Sequence, residues 1–285
     1  MRKGNILHPM KKTSLFATDL DGTLLRNDGT FSTRDLNSLE TLRSGGCAVV
    51  LATGRSPLSL EKCLGGRKLP VDWYVLSSGA GVISSAGEIT LSRTLSSEDT
   101  SVIHRAFADL GVTDTSIQGT FPDAHILHWM TGKHGLDFKK RLAYYRAFSK
   151  QIEHPAIASS EVIGFVHPDQ ADLVIQKLVE AIGHRYSVIR ATSPIDMRTV
   201  WVEVFAKGVS KASACDAIRE ELDIPSQQTA AVGNDWNDIQ LLRWADRPFI
   251  SSNGPDPMLR EFENVPSNQN NAVAVAVERW MEDFV

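Results

Sequence analysis

Two aspartates end the first apolar stretch of the chain, in LFATDLDGTLL at residues 15–25. Because side chains at positions i and i+2 of a strand point the same way, Asp19 and Asp21 would project together from the end of a strand. Open α/β sheets bind their ligands at the carboxyl ends of their strands. Two neighbouring carboxylates repel each other unless a cation or a shared proton relieves them. The motif predicts such a site, with a solvated strand-to-turn segment as the alternative, and Gly22 allows a tight turn.

A second polar group follows the second apolar stretch, in LATGRS at residues 51–56. Thr53 offers a hydroxyl group, and Gly54 lets backbone amides approach an anion closely. Arg55 is either a phosphate ligand or an ordinary surface cation. This motif predicts anion binding only in combination with others.

A third segment, KGVSKASA at residues 207–214, opens a predicted helix. A lysine in the first turn is unfavourable beside the positive end of the helix dipole, unless it faces an anion or a carboxylate cluster. We therefore predict that Lys211 is the cation of the site, with Lys207 as the second choice. A solvated surface lysine is the alternative for both.

Two Asx pairs stand in AVGNDWNDIQLL at residues 231–242. Asn and Asp favour turns, because their side chains bond to nearby backbone groups. Their oxygens are also the ligands that Mg²⁺ prefers. The segment is therefore either a polar strand-to-helix turn or half of a metal site formed by Asn234, Asp235, Asn237 and Asp238.

Elements that alternate between strand and helix must position these motifs. Continuous apolar runs at residues 15–18, 47–52 and 73–77 predict buried parallel strands, with a helix from Ser32 or Thr33 to the Gly45-Gly46 pair between the first two. The second half repeats the pattern. Its predicted elements are strands at residues 201–205, 229–232 and 248–250 and helices at 210–222, 235–245 and 271–284.

The middle of the chain has a different pattern, in which helices at residues 97–110, 136–148 and 169–182 mix with short strands at 124–129, 161–166 and 186–190. We therefore predict an α/β fold with a Rossmann-like, doubly wound parallel sheet as its core. The core would comprise residues 12–83 and 196–285, and an inserted α+β domain would comprise residues 84–195.

Composition excludes several classes of protein. The 285-residue chain is 42% apolar, carries a net charge of −4 and has a pI of about 6.1. These values argue against nucleic acid or an anionic membrane as its partner. Its three cysteines lack metal-ligand or disulfide spacing. No apolar run reaches the length of a membrane span, and the first residues lack the pattern of a signal peptide, so we expect a cytoplasmic protein. The sequence predicts no particular oligomeric state.

The four motifs in this order, DLDGT, TGR, GVSK and G-x-x-x-N-D, resemble those of the haloacid dehalogenase superfamily of phosphatases. The inserted domain resembles the type IIB cap found in Cof-type sugar phosphatases and in sucrose-phosphate phosphatases. SSGAGV at residues 77–82 resembles the strand end before that cap, with Ser78 in place of the usual Asn. SSNGPDPMLREF at residues 251–262 resembles the segment after the last core strand, with Asn253 at the family's Asn position.

The resemblance implies a role for each motif residue. Asp19 would be the nucleophile that forms an aspartyl-phosphate, and Asp21 would be the general acid and base. Thr53 would bind phosphoryl oxygens, and Lys211 would offset negative charge. Mg²⁺ would be the cofactor, held by Asp19, the Asp21 carbonyl and the fourth motif. The resemblance further implies phosphate or substrate contacts for Gly22, Gly54, Arg55, Asn237 and Asn253, and metal contacts for Asn234, Asp235 and Asp238.

The fourth motif departs from the family pattern G-D-x-x-N-D. Asn234 stands where the metal-binding Asp is usual, and Asp235 follows one position later. Either residue is a candidate metal ligand, and weaker metal binding is expected because an amide brings no charge. The implied activity is Mg²⁺-dependent hydrolysis of a small phosphate ester, such as a sugar phosphate. A sugar phosphomutase with the same nucleophile, or a phosphate-ester-binding regulatory protein with weakened catalysis, is the alternative.

One segment of the inserted domain, HILHWMTGKHGL at residues 125–136, is polar and aromatic enough to line a sugar site. Its candidates are His128, Trp129, Lys133 and His134. An ordinary helix or strand surface explains the same residues at least as well.

Overall fold

A computed structural model describes residues 11–130, 132 and 134–282. The first part of the chain contains β1 (Ser14–Thr18), α1 (Thr33–Ser44), β2 (Cys47–Ala52), α2 (Pro57–Leu64), β3 (Trp73–Leu76), β4 (Gly81–Ser84) and β5 (Ile89–Ser92). The middle part contains α3 (Ser97–Asp109), β6 (Thr115–Gln118), β7 (Leu127–Trp129), α4 (Leu136–Tyr144), β8 (Ser149–Gln151), β9 (Glu161–Val166), α5 (Pro168–Ile182), β10 (Tyr186–Thr192) and β11 (Val200–Ala206). The last part contains α6 (Lys211–Glu221), β12 (Thr229–Gly233), α7 (Ile239–Trp244), β13 (Arg247–Ser251), α8 (Asp256–Glu261), β14 (Glu263–Val265) and α9 (Ala272–Glu282).

The larger sheet has eight strands in the order β14-β13-β12-β1-β2-β3-β4-β5. The strands from β14 to β3 are parallel, and β4 and β5 extend the sheet as antiparallel strands. Apolar clusters cover both faces of this sheet, which explains why β2 is buried along its whole length. The prediction of an α/β fold with a parallel core sheet is confirmed.

Two serines set the starts of the helices that matter for the core. Ser32 caps α1, because its hydroxyl accepts hydrogen bonds from the amides of Arg34 and Asp35. Ser210 caps α6 in the same way through the amide of Ser213. Lys211 is therefore the first residue of α6, in the first turn as predicted.

The smaller sheet has six strands in the order β10-β11-β9-β6-β7-β8, and all neighbours are antiparallel except β7 and β8. Helices α3 and α5 cover one face, where Phe107 and Leu178 pack against Val162 and Val202. The other face looks towards the larger sheet and forms one wall of a cleft.

The strand predicted at residues 201–205 exists, but it belongs to the smaller sheet instead of the core sheet. We expected it in the core, but β11 pairs antiparallel with both β9 and β10 of the smaller sheet. All of its residues except Glu203 are apolar because both of its faces are covered. Val202 and Val204 face the helices, whereas Trp201 and Phe205 pack on the opposite side. Periodicity detects such burial but not which sheet a strand joins.

Sheet membership also corrects the expected domain boundaries. The boundary between residues 83 and 84 falls inside β4, and the boundary between 195 and 196 separates β10 from its neighbour β11. The chain leaves the larger sheet after Ser92 and leaves the smaller sheet after Ala206. We propose that the inserted cap runs from α3 to β11.

Two expectations from composition bear on the described residues. Cys47, Cys63 and Cys215 carry free thiols. In the part of the chain that the structure describes, no helix combines the length and the apolarity that a membrane crossing requires.

Candidate active site

A cavity of about 930 Å³ lies between the carboxyl edge of the larger sheet and the open face of the smaller one. The predicted motif residues follow strands β1, β2 and β12, so the parallel arrangement brings their loops to the same edge. Lys211 arrives differently, because it follows the cap strand β11 and enters the edge at the start of α6.

Lys211 is the charged centre of this edge. Its Nζ lies 2.7 Å from Asp19 Oδ1 and 2.6 Å from Asp238 Oδ1, and all three side chains are buried. Burial lowers the pKa of Lys211, but the two carboxylates outweigh it and keep the pKa above its usual value. Lys207, the second choice, is exposed and donates to the carbonyl of Gly183 in the cap. The prediction of Lys211 over Lys207 agrees with this geometry.

Burial and the nearby charge of Asp238 raise the pKa of Asp19 to about 7, against the lowering effect of Lys211. Asp19 is only 4% exposed. A carboxylate in this position is short of positive charge, since Lys211 is shared with Asp238. The electrostatics therefore favour a second cation beside Asp19.

The side chain of Asn234 reaches the same carboxylate. The inward atom of its amide lies 3.1 Å from Asp19 Oδ2 and 2.8 Å from the carbonyl oxygen of Asp21. Gly22 makes this approach possible, because a Cβ at that position would lie 2.4 Å from the outer amide atom and its φ is +80°. Thr23 Oγ1 lies 3.0 Å from the inward atom.

The Asn234 amide fits this place in two ways. With its nitrogen inward, it donates to Asp19, to the Asp21 carbonyl and to Thr23. With its oxygen inward, three oxygens converge, which requires a cation between them. Adjacent oxygens around octahedral Mg²⁺ at 2.0–2.1 Å are about 3 Å apart. The separations of 3.1 and 2.8 Å match that value. Asp19, the Asp21 carbonyl and Asn234 therefore fit Mg²⁺.

This set contains a single carboxylate. That composition is consistent with the described residues holding no group of three or more His, Cys, Asp or Glu side chains arranged for a metal.

The other two predicted metal ligands lie elsewhere. Asp235 turns away from the three oxygens, and its carboxylate accepts from the amide (3.0 Å) and hydroxyl (3.1 Å) of Thr192 at the end of β10. Asp238 binds Lys211 with one oxygen and the amides of Asn234 and Asp235 with the other. Asp235 thus ties the loop to the cap, and Asp238 fixes the lysine and the loop, whereas the metal contacts of both residues stay predictions.

The arginine of the TGR motif contacts Asp21, so the motif does not form a separate anion site. Arg55 makes two hydrogen bonds to the Asp21 carboxylate, of 2.8 and 2.6 Å. Its backbone amide donates to Thr53 Oγ1, and a Cβ added at Gly54 would lie 3.5 Å from Ser78 Oγ. Thr53, Gly54 and Arg55 all line the cleft.

The remaining predicted contacts also reach the cleft. Asn237 lies 3.4 Å from Lys211 Nζ through its side-chain oxygen. Asn253 donates to the carbonyl of Gly22 at 2.9 Å. The two side chains therefore contact the start of α6 and the loop after β1, respectively, and both line the cavity.

The cap wall of the cleft holds polar residues that the sequence analysis missed. They are Gln118, Arg141, Glu161 and Glu203, which are all buried. Glu161 begins the apolar strand β9 and is followed by Val162, and Glu203 stands between Val202 and Val204 in β11. The available signal was an acidic residue in a strand that is otherwise apolar. Because side chains alternate between the two faces of a strand, a glutamate next to a valine that faces the helices must face the cleft.

The predicted cap candidates are not part of this wall. His134 pairs with Asp114 and stacks on Phe138, and Trp129 contacts the ring of His134. Neither these two nor His128 is among the described residues that line the cleft. Lys133 lies outside the described residues. The alternative interpretation, an ordinary element surface, fits the three described residues.

The carboxyl edge of the parallel sheet carries a buried Asp–Lys–Asp cluster and a group of converging oxygens. This arrangement is typical of a hydrolase that acts on phosphate groups. The chain belongs to the haloacid dehalogenase-like hydrolases, whose family model matches residues 16–277. It is 26% identical over 281 residues to the HMP-PP phosphatase of Enterobacter sp. (strain 638), covering 94% of this chain and 96% of that relative.

Solved structures agree on the fold. A protein from Streptococcus mutans UA159 matches with a TM-score of 0.78 and 18% identity, covering 95% of this chain and all of that one. A subclass IIB sugar phosphatase of the same superfamily matches with a TM-score of 0.72 and 17% identity, covering 94% and 99%. The predictions of family, fold class and a phosphatase-type enzyme are confirmed.

Proposed function

We propose that this protein is a Mg²⁺-dependent phosphomonoester hydrolase that acts on a small phosphorylated metabolite, such as a sugar phosphate, through an aspartyl-phosphate. The observation that carries the proposal is the pairing of Asp19 with Lys211 on one side and with the converging oxygens of Asp21 and Asn234 on the other. The names of a relative and a structural neighbour, an HMP-PP phosphatase and a sugar phosphatase, support a small phosphate ester as the substrate.

In the first step, a carboxylate oxygen of Asp19 attacks phosphorus, and the bond to the leaving oxygen breaks. Asp21 gives its proton to that oxygen. In the second step, Asp21 takes a proton from water, the water oxygen bonds to phosphorus, and the bond to Asp19 breaks. Phosphate leaves, and both aspartates return to their starting states.

The other residues position and neutralise the transferring group. Lys211 offsets negative charge on Asp19 and on the phosphoryl oxygens, and Thr53 donates to those oxygens. Arg55 pairs with Asp21 in the free protein, and a bound phosphate competes for the same guanidinium. When bound by Asp19, the Asp21 carbonyl and Asn234, Mg²⁺ supplies further charge neutralisation at the phosphate.

Hydrolysis of an aryl phosphate with and without Mg²⁺ tests the proposal. Wild-type protein should release phosphate only with Mg²⁺, and Asp19→Asn should abolish turnover. Asp109→Asn, an exposed aspartate at the end of α3, is the matched control and should keep full activity. Metal-independent hydrolysis, or a fully active Asp19→Asn variant, would contradict the proposal.

Product analysis separates the two alternatives from hydrolysis. If hexose phosphates yield isomerised sugar phosphate and no free phosphate, the protein is a phosphomutase. If wild-type protein binds phosphate esters but transforms none, it is a binding or regulatory protein.

A further inference from the structure

The cap wall of the cleft carries a group of polar side chains that the hydrolysis mechanism does not use. Gln118, Glu161 and Glu203 lie on the neighbouring strands β6, β9 and β11 and line the same cavity as Asp19. Glu161 and Glu203 are each only 4% exposed. Strand register makes them diagonal neighbours, because Glu203 lies opposite Ile163, two residues after Glu161.

The hydrogen bonds of this group are incomplete. Glu203 Oε2 accepts from Ser78 Oγ at 2.9 Å, and Gln118 Nε2 donates to Ser116. Within the described residues, Glu161 Oε2 is buried without a hydrogen-bond partner, and so is Arg141 Nε. Buried polar atoms normally have partners, so these two atoms point to a ligand that supplies them.

The charged groups of the cap wall indicate which kind of ligand fits the cavity. In the described part of the chain, neither Glu161 nor Glu203 has a cationic group within 4 Å, although Arg141 is near enough to act on both. Arg141 lies instead over the rings of Trp201 (4.4 Å) and Tyr145 (5.2 Å). Two carboxyl groups therefore face the cavity against one guanidinium that aromatic rings already cover.

We propose that Glu161, supported by Glu203, binds a positively charged nitrogen on the leaving group, so that the substrate is the phosphate ester of an amine- or amidine-bearing small molecule. The proposal rests on the proposed hydrolase function, since it names the part of the substrate that departs from phosphorus. Arg141 Nε donates a hydrogen bond to an uncharged acceptor atom of the leaving group that lies next to the charged nitrogen.

The protonation of the empty pocket supports this assignment. Burial first, and the charge of Glu203 second, raise the pKa of Glu161 well above its usual value. Burial likewise raises the pKa of Glu203 to about 7. Without a ligand the pair therefore favours its protonated form, and a cationic nitrogen would favour the charged carboxylates and displace a proton. An anionic leaving group would gain no charge partner from either glutamate.

Matched series of phosphate monoesters test the inference. The probes are ω-aminoalkyl phosphates and ω-hydroxyalkyl phosphates of equal and increasing chain length, assayed with Mg²⁺ for kcat/KM. At the length that spans the cleft, the amine should exceed its hydroxyl counterpart by about tenfold or more. In Glu161→Gln, which keeps the shape and removes the charge, this ratio should fall to near one. Glu153→Gln, an exposed glutamate of the cap, should keep it.

Two results would overturn the inference while leaving hydrolysis intact. One is an amine-to-hydroxyl ratio near one in wild-type protein that still hydrolyses an aryl phosphate. The other is a high ratio that Glu161→Gln does not change. If wild-type protein hydrolyses no ester at all, the proposed function fails, and calorimetry with the same two series decides the inference. Tighter binding of the amines to wild type than to Glu161→Gln then supports it, and equal binding rejects it.

Discussion

The two walls of the cleft differ in how their buried charges are paired. On the core wall, each carboxylate has a partner within the chain: Lys211 binds Asp19 and Asp238, and Arg55 binds Asp21. On the cap wall, Glu161 has an oxygen with no partner among the described residues. The core wall pairs its carboxylates within the chain and, in the proposed hydrolysis, adds only Mg²⁺ beside Asp19. The cap wall lacks one component, which a substrate brings.

Loss of the central cation should disrupt the core wall most. In Lys211→Met, Asp19 and Asp238 stay buried without a counter-ion, so we expect the free energy of unfolding at pH 7 to fall by about 3–5 kcal/mol. Urea unfolding followed by circular dichroism measures the loss. Lys207→Met, which removes an exposed lysine in the preceding turn, should cost less than about 1 kcal/mol. Equal losses in the two variants would show that the buried cluster contributes nothing specific.

The acidic pair of the cap wall should respond to pH. Glu203 faces Ser78, Arg141, Glu161, Lys211 and Asp235, and burial raises its pKa from 4.5 to about 7. Between these values the folded state holds a proton that the unfolded state has lost. Stability therefore falls as pH rises from about 4.5 to 7, and this contribution is constant above that range.

Glu203→Gln removes this titration, so its stability should depend less on pH than that of the wild type. We expect the difference in unfolding free energy between the two to change by about 2 kcal/mol across the window, in favour of the variant at pH 7. Urea unfolding at several pH values measures it. Exposed Glu153→Gln should follow the wild-type curve. A difference that does not vary with pH would contradict the raised pKa.

The smallest expected effect compares two neighbouring residues of the core wall. Asn234→Asp adds a charge at the converging oxygens, and we expect the apparent Kd for Mg²⁺ to fall about tenfold. Asp235→Asn should change it by less than about threefold, because that carboxylate faces Thr192. Titration of Mg²⁺ in the aryl phosphate assay measures both. A larger effect of Asp235→Asn would assign the metal to Asp235 and contradict the geometry.

The core wall was predictable because its chemistry follows strand ends along the sequence. DLDGT, TGR and GNDWND each follow a strand of one parallel sheet, and a continuous apolar run marks each strand. The direction of Asp235 was not predictable, since the choice between neighbouring Asn234 and Asp235 depends on where Thr192 of the cap lies. The cap wall was missed for a related reason: Glu161 and Glu203 are 42 positions apart and meet only through the register of β9 and β11.

The contact between Asp235 and Thr192 has a mechanical consequence for the cleft. Separating β10 from the core at that point breaks two hydrogen bonds and exposes a buried carboxylate to water. Across the cavity, the hydroxyl groups of Ser56 and Tyr145 lie 3.4 Å apart, and Lys62 Nζ lies 4.6 Å from the ring centre of Tyr144. We therefore expect the cleft to open first on the side of Tyr145, whose ring lies 5.2 Å from the guanidinium of Arg141.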